Sequence, residues 1–457
     1  MHRGNKSEIS SFPFSFPQAA ASYDDILPQI IPSIAGMPTV AKSPPALISP
    51  AGPTPSGTLP LSSIDKTLGG LVNLIQVFPP SSLSAAHDGQ GAAAAVAAMC
   101  MGFARALVPY YPVAGRISPS GLAVDCTGEG VWFVEAAAGC TLADVDGLEC
   151  CPLLIPGELL LPRPPPGEKL DGLILMAQAT RFACGGFAVG ISFSHAVFDG
   201  QGAAQFLRTV GELARGLPTP SVAPVWGRDA IPDPPSPPPP QLTEFRFVNQ
   251  VADISAESIE RVKDEVKQAA GEGCSTFDAV TAVVFKCRAL ALAAALPDDA
   301  EVRVGFAAGT RHLLRGVLPA VDGYYGNCVY LASVACTGRA VRESPLAVLV
   351  GAVREAKEAV AAGFADWMRG VDRYDVLLDY STAILSDWSR LGFDEVDYGF
   401  GVPSYVFPHN DHVDFVPALN YVSPPAPRRG GGGIRVVLRC VEEPHAAVLA
   451  AELAKFA

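Results

Sequence analysis

The clearest two-residue alternation in the chain lies at Phe187–Ser194, where Phe187, Val189, Ile191 and Phe193 interleave with Ala188, Gly190, Ser192 and Ser194. A large apolar face opposite a small one predicts a strand half-buried against helices. Directly after it, Phe206, Val210 and Leu213 recur at helical spacing. They predict a helix from about Ala203 to Arg215, closed by Gly216 and Pro218. The same period joins Val96, Cys100, Phe103 and Leu107 in a helix over 90–107, stopped by Pro109 and Pro112. Leu122–Cys126 and Val131–Val134 read as strands around a Gly128-Glu129-Gly130 turn. Further on, Ser255 can cap a helix whose Ile259, Val262 and Val266 share a face. Ser275 with Asp278 resembles a capping box for a helix through Leu290. Residues 41–60 read as a short strand and a turn-rich segment, and Arg428 to Gly433 as a surface loop between two final strands.

One break divides this pattern. Residues 231–240, Ile-Pro-Asp-Pro-Pro-Ser-Pro-Pro-Pro-Pro, cannot form a helix or an interior strand, because proline lacks the amide donor. A semi-rigid crossover is therefore expected over 227–244, between an N-terminal domain at 41–226 and a C-terminal domain at 245–457. Residues 1–40 carry Ser, Pro and Phe without a period and read as a flexible extension. The length, 457 residues, suits two or three domains, and 49% hydrophobic against 17% charged residues excludes a disordered chain. Net charge is −13, which argues against nucleic acid or an anionic membrane surface as the main partner. An anionic small molecule would need a local cationic pocket. The 11 cysteines show no C-x-x-C and no zinc spacing, and read as small hydrophobes in a reducing compartment. No stretch is long and apolar enough to span a bilayer, and the first 40 residues resemble neither a signal nor a transit peptide. A cytoplasmic location is the expectation.

The chemistry concentrates at the end of the 187–194 strand. His195 sits there, and Asp199 follows at the strand-to-helix turn where α/β folds place ligands. The spacing lets the carboxylate lie near the imidazole and fix the turn, and the small preceding residues leave room for a ligand. General-base catalysis and an ordinary satisfied histidine both remain open at this point. A metal centre is not expected: His312, His409 and His412 lie in unrelated segments without ligand spacing. There is no G-x-S-x-G elbow for a serine hydrolase. The glycine run at 430–433 lacks the following Lys-Ser/Thr of a P-loop, and neither Asp88–Ala93 nor Asp199–Ala204 completes G-x-G-x-x-G.

Four motifs in register then carry a resemblance. His195-Ala196-Val197-Phe198-Asp199-Gly200 looks like the H-x-x-x-D-G motif of the plant BAHD acyltransferases. Asp397-Tyr398-Gly399-Phe400-Gly401 resembles the family's D-F-G-W-G, with two aromatic exchanges. Tyr110 to Arg116 is similar to Y-Y-P-L-A-G-R, and Leu59 to Asp65 to L-P-L-S-x-x-D. Cys126 to Phe133 and Asp322 to Cys328 resemble more narrowly the grass branch, which includes hydroxycinnamoyl transferases and lies near the benzoyl and amine transferases.

The resemblance implies an α/β, two-domain, chloramphenicol-acetyltransferase-like fold, each domain a mixed sheet flanked by helices, with an active-site channel at the junction. It implies acyl transfer from acyl-CoA, a co-substrate, to an alcohol or amine, with no cofactor or metal. His195 would be the base. Asp199 would be a structural partner of Arg311, and Asp397 would be structural support. Gly399, Phe400 and Gly401 would shape the CoA side. The protein is expected to be monomeric, without nucleic-acid partners or stable membrane insertion. The competing readings are a non-catalytic scaffold or binding protein of the same family and an esterase on the same fold.

Overall fold

The strand at Phe187–Ser194 forms as the alternation requires, and it lies inside a larger sheet. The computed structural model describes residues 38–80, 90–235, 242–371, 378–409, 419–429 and 432–457. Most of the expected N-terminal extension, the 236–241 part of the crossover, His412 and Asp88-Gly89 lie outside them. Among the described residues the first sheet runs in the spatial order Val40–Lys42, Val131–Ala138, Leu175–Arg181, Phe187–Ser194, Leu71–Phe78 and Tyr405–Pro408. Ala46–Ile48 also pairs with the Val131–Ala138 strand. Phe187–Ser194 is antiparallel to both neighbours, whereas Val131–Ala138 and Leu175–Arg181 run parallel, so the sheet is mixed.

All eight residues of Phe187–Ser194 are buried, not the alternate half expected from the sequence. The large face packs with the helices Gln90–Ala106 and Gly200–Ala214 in one core that includes Phe103, Phe193, Phe198 and Phe206. The small face is covered as well. A Cβ at Gly190 would run into the backbone oxygen of Leu160, so a loop of the same domain lies directly on it. Small residues there mark close backbone approach as much as room for a ligand.

The second sheet runs Gln250–Ser255, Gly433–Leu438, Leu419–Ser423, Thr382–Asp387, Glu301–Gly309 and Val329–Thr337. Helices Ala256–Ala270, Thr276–Ala291 and Leu346–Glu358 supply apolar stripes to its core. Ser255 caps the first of these through the Ser258 amide, and Ser275 with Asp278 forms the expected reciprocal capping box on the second. The two mixed sheets flanked by helices that the resemblance implies are the observed fold.

The domains exchange material. Tyr405–Pro408 lies beyond the crossover in sequence, yet it pairs with Leu71–Phe78 at the edge of the first sheet. Tyr398 and Phe400 join the first core. A division at 227–244 therefore leaves out a strand that the C-terminal half lends to the N-terminal sheet. Element limits also moved. The Gly200–Ala214 helix begins three residues before the expected Ala203, because Asp199 caps it by accepting from the Gly202 amide. Val131–Ala138 extends past Val134, held by partners on both sides. Residues 41–60 contribute three short strands, the first already begun at Val40. Four of the cysteines, Cys126, Cys287, Cys328 and Cys440, are buried, and Cys151 is exposed.

Candidate functional site

The strand-to-helix turn after Ser194 is built from the backbone outward. The His195 amide donates to Gly70 O at 3.0 Å, and the Val197 and Phe198 amides return to Ser194 O at 3.1 and 3.2 Å. Phe198 drives the turn inward: it is fully buried and lies 5.7 Å from the Tyr325 ring and 5.8 Å from Phe206. His195 is thereby left facing the junction between the two halves.

The imidazole meets one side chain of the second half. His195 Nδ1 lies 3.2 Å from Asn327 Oδ1. The Asn327 amide is oriented by two pure acceptors, since its Nδ2 donates to Asp65 Oδ1 at 2.7 Å and to His195 O at 2.7 Å. Its oxygen must then face the ring, so Nδ1 carries the proton and Nε2 keeps its lone pair. Burial holds the His195 pKa below its ordinary value; the hydrogen bond to its own backbone, the Asp199 charge, Asn327 and Asp65 oppose that shift without overcoming it. A histidine with a depressed pKa is neutral at neutral pH. The ring lies deep in the protein, although the residue keeps intermediate exposure.

Asp199 does not approach the imidazole as a partner. Its Oδ2 accepts from Arg311 Nη1 and the Cys328 amide, both at 3.1 Å. Its Oδ1 accepts from Arg311 Nη2 at 3.2 Å and from the Gly202 amide at 2.7 Å. Arg311 follows the Glu301–Gly309 strand of the second sheet and also donates to Gln201 Oε1 at 2.6 Å, Tyr324 O at 3.1 Å and Gly326 O at 3.2 Å. The pair ties the catalytic-type turn to the second half of the molecule. Asp199 thus fixes the turn and bears on the ring through its charge, while its hydrogen bonds go to the helix cap, the Cys328 amide and Arg311, the contact that the resemblance implies.

The second motif lies elsewhere. Asp397 Oδ1 accepts from the amides of Gly399 at 2.8 Å and Gly401 at 3.0 Å, and its other oxygen lies 3.5 Å from Arg215. Gly399 and Gly401 have φ of +107° and +99°, a conformation only glycine adopts without strain. Tyr398 donates to Gln76 Oε1 at 2.9 Å, and Phe400 stacks on Phe187 with centroids 5.1 Å apart. Phe187 begins the strand that His195 follows, so Phe400 packs at the far end of that strand from the imidazole. His195, Asp199 and Arg311 come together; Asp397, Gly399, Phe400 and Gly401 form a separate packed loop.

Three residues at the site were not singled out from the sequence as site residues. Asp65 and Asn327 lie inside the motif segments Leu59–Asp65 and Asp322–Cys328, a usable signal. Arg228 sat in the crossover, read as a spacer, yet it is fully buried. A single arginine beside a proline run gives no sign of that.

The comparisons with known proteins agree with this geometry. The profile of the Transferase family matches residues 39–443. Acyl transferase 4 of Oryza sativa subsp. japonica is 42% identical over 431 residues, covering 89% of this chain and 96% of that protein. Myricetin 3-O-glucosyl 1,2-rhamnoside 6'-O-caffeoyltransferase AT1 of Crocosmia x crocosmiiflora is 37% identical, covering 92% and 99%. Among solved structures, vinorine synthase superposes with a TM-score of 0.72 at 22% identity, covering 92% of this chain and 98% of that one. Fold, motif geometry and relatives converge, and the chain belongs to the BAHD family of acyl-CoA-dependent acyltransferases.

Proposed function

We propose that the protein transfers a hydroxycinnamoyl or benzoyl group from acyl-CoA to an alcohol or amine acceptor, with His195 as general base. The observation that carries the reading is the hydrogen-bonding state of His195: Nδ1–H faces Asn327 Oδ1, which leaves a neutral, basic Nε2. That nitrogen takes the proton of the acceptor hydroxyl or amine as the heteroatom attacks the thioester carbonyl. The tetrahedral intermediate collapses, the C–S bond breaks, and the imidazolium returns the proton to the departing CoA thiolate. Asp199 and Arg311 hold the turn across the junction and take no proton. The Asp397–Gly401 loop packs one end of the first sheet and shapes the CoA side.

The acyl class is drawn from relatives: one of them is named for caffeoyl transfer. The same reading has the protein acting as a cytoplasmic monomer. No helix of the described residues is long and apolar enough to cross a membrane. The test is thiol release by purified protein over a matrix of acyl-CoA donors (p-coumaroyl, feruloyl, benzoyl, acetyl) and alcohol or amine acceptors. Acceptor-dependent CoA release is expected with an aromatic donor, and His195→Ala should lower it by ~10²–10⁴ without lowering the melting temperature. Full activity in His195→Ala would end the base assignment. No CoA release with any pair would favour a scaffold role.

A further inference from the structure

Two side chains with no place in bond-making lie directly beneath the His195 turn. Asp65, in the short Asp65–Thr67 helical turn, and Arg228, in the crossover, are joined Oδ2 to Nε at 2.8 Å, and both side chains are 0% exposed. Stability alone is a weak reason to keep such a pair, because apolar groups of similar shape often replace a buried ion pair at no loss. What the pair touches is more specific. Arg228 Nη2 donates to Val197 O at 2.5 Å, inside the turn between His195 and Asp199. Asp65 Oδ1 accepts from the Asn327 amide at 3.1 Å and from Asn327 Nδ2, and that same Nδ2 donates to His195 O. The carbonyls of residues 195 and 197 are therefore both tied to one ion pair, one directly and one through Asn327.

The surroundings are shaped for a guanidinium. Its carbon lies 3.7 Å from the centre of the Trp226 ring. Gly326 leaves the space: a Cβ there would crowd the Tyr324 hydroxyl and Arg228 Nη2. Asp65 Oδ2, the oxygen that meets Arg228, also accepts from the Ser62 amide at 3.0 Å and the Ser62 hydroxyl at 2.7 Å, so the carboxylate has no freedom to turn. Three chain segments far apart in sequence thus converge on the backbone that carries the imidazole. A lysine at position 228 could keep the charge beside Asp65, but it lacks the planar fork that reaches Asp65 and Val197 together.

We propose that Asp65 and Arg228 are positioning residues: a buried ionic clasp that fixes the backbone of the His195 turn, and through it the place of Nε2 relative to the acceptor. The proposal rests on the reading of His195 as the base. A reacting group displaced by about 1 Å commonly loses ~10²-fold in rate, so the clasp acts on turnover and not on substrate affinity.

The test is the full-length double variant Asp65→Leu/Arg228→Met, which removes the pair while leaving no stranded charge. The expected result is a protein that still folds but unfolds earlier than wild type, because the Ser62 and Asn327 amides lose their acceptor, with donor and acceptor KM within about twofold and kcat lower by ~10–100-fold. Arg228→Lys, which keeps the charge, should lower kcat with stability held. Wild-type kcat in the double variant would overturn the proposal, as would single variants whose lost turnover returns together with lost stability when they are combined. Should the double variant fail to fold, Arg228→Lys decides, and full kcat there overturns the clasp. His195→Ala is assayed in parallel. Turnover retained in it removes the base reading, whereas an inactive His195→Ala beside a fully active double variant removes the clasp alone.

Discussion

Asp199→Ala is expected to destabilise the protein first and slow it second, and the contacts give the size of the effect. The carboxylate accepts from the Gly202 amide, the Cys328 amide and both terminal nitrogens of Arg311. Loss of the helix cap costs about 1 kcal/mol. The buried Cys328 amide left unpaired costs ~1–3 kcal/mol. Arg311 loses its counter-ion but keeps Gln201, Tyr324 and Gly326 as acceptors, and 19% of its side chain is exposed. That share is therefore about 1–2 kcal/mol, below the ~3–5 of a fully buried pair. The sum is roughly 3–6 kcal/mol, a large part of the ~5–15 kcal/mol that holds a domain folded. Arg311→Ala is milder, about 2 kcal/mol, because two backbone amides still serve the carboxylate. The double variant should cost ~1–2 kcal/mol less than the sum of the singles, since the stranded cation is then absent. Urea unfolding of the four proteins, followed by tryptophan fluorescence, measures this cycle; turnover is read on the same samples. Additive losses would refute the pairing argument. An Asp199→Ala protein as stable as wild type yet inactive would show instead that the carboxylate acts on the imidazole.

Three further outcomes follow from the same geometry. Burial depresses the His195 pKa, so the basic form persists below the ordinary histidine range; kcat/KM should hold as pH falls through about 6.5 and drop only below it, and a midpoint above 7 in the pH–rate profile would contradict the environment described. Gly202→Ala would push a Cβ into the Tyr325 backbone oxygen; it should cost ~1–3 kcal/mol despite alanine's better helix propensity, and a raised melting temperature would refute the close packing. CoA carries several phosphate charges and the protein is formally −13, so capture requires a local basic entry; the donor KM should rise with ionic strength, and a flat response would argue against steering.

Much of this molecule is local and therefore legible in the chain. The Phe187–Ser194 alternation, the stripe through Phe206, Val210 and Leu213, and the Ser275–Asp278 capping box depend on residues within a few positions of one another. Motif order carried the family, and with it His195 at the mouth of a turn and Arg311 as the partner of Asp199. What the sequence could not decide is which distant groups share a buried space. The burial of both faces of the Phe187–Ser194 strand depends on Leu160, and the loan of Tyr405–Pro408 to the first sheet depends on pairing with Leu71–Phe78. The Asp65–Arg228 pair spans 163 positions and Asn327 reaches Asp65 across 262. No periodicity encodes such contacts, because a buried charge is tolerated only where the whole fold delivers its partner. Only the tertiary structure decides that Arg228, in a segment that reads as a spacer, lies beneath the histidine.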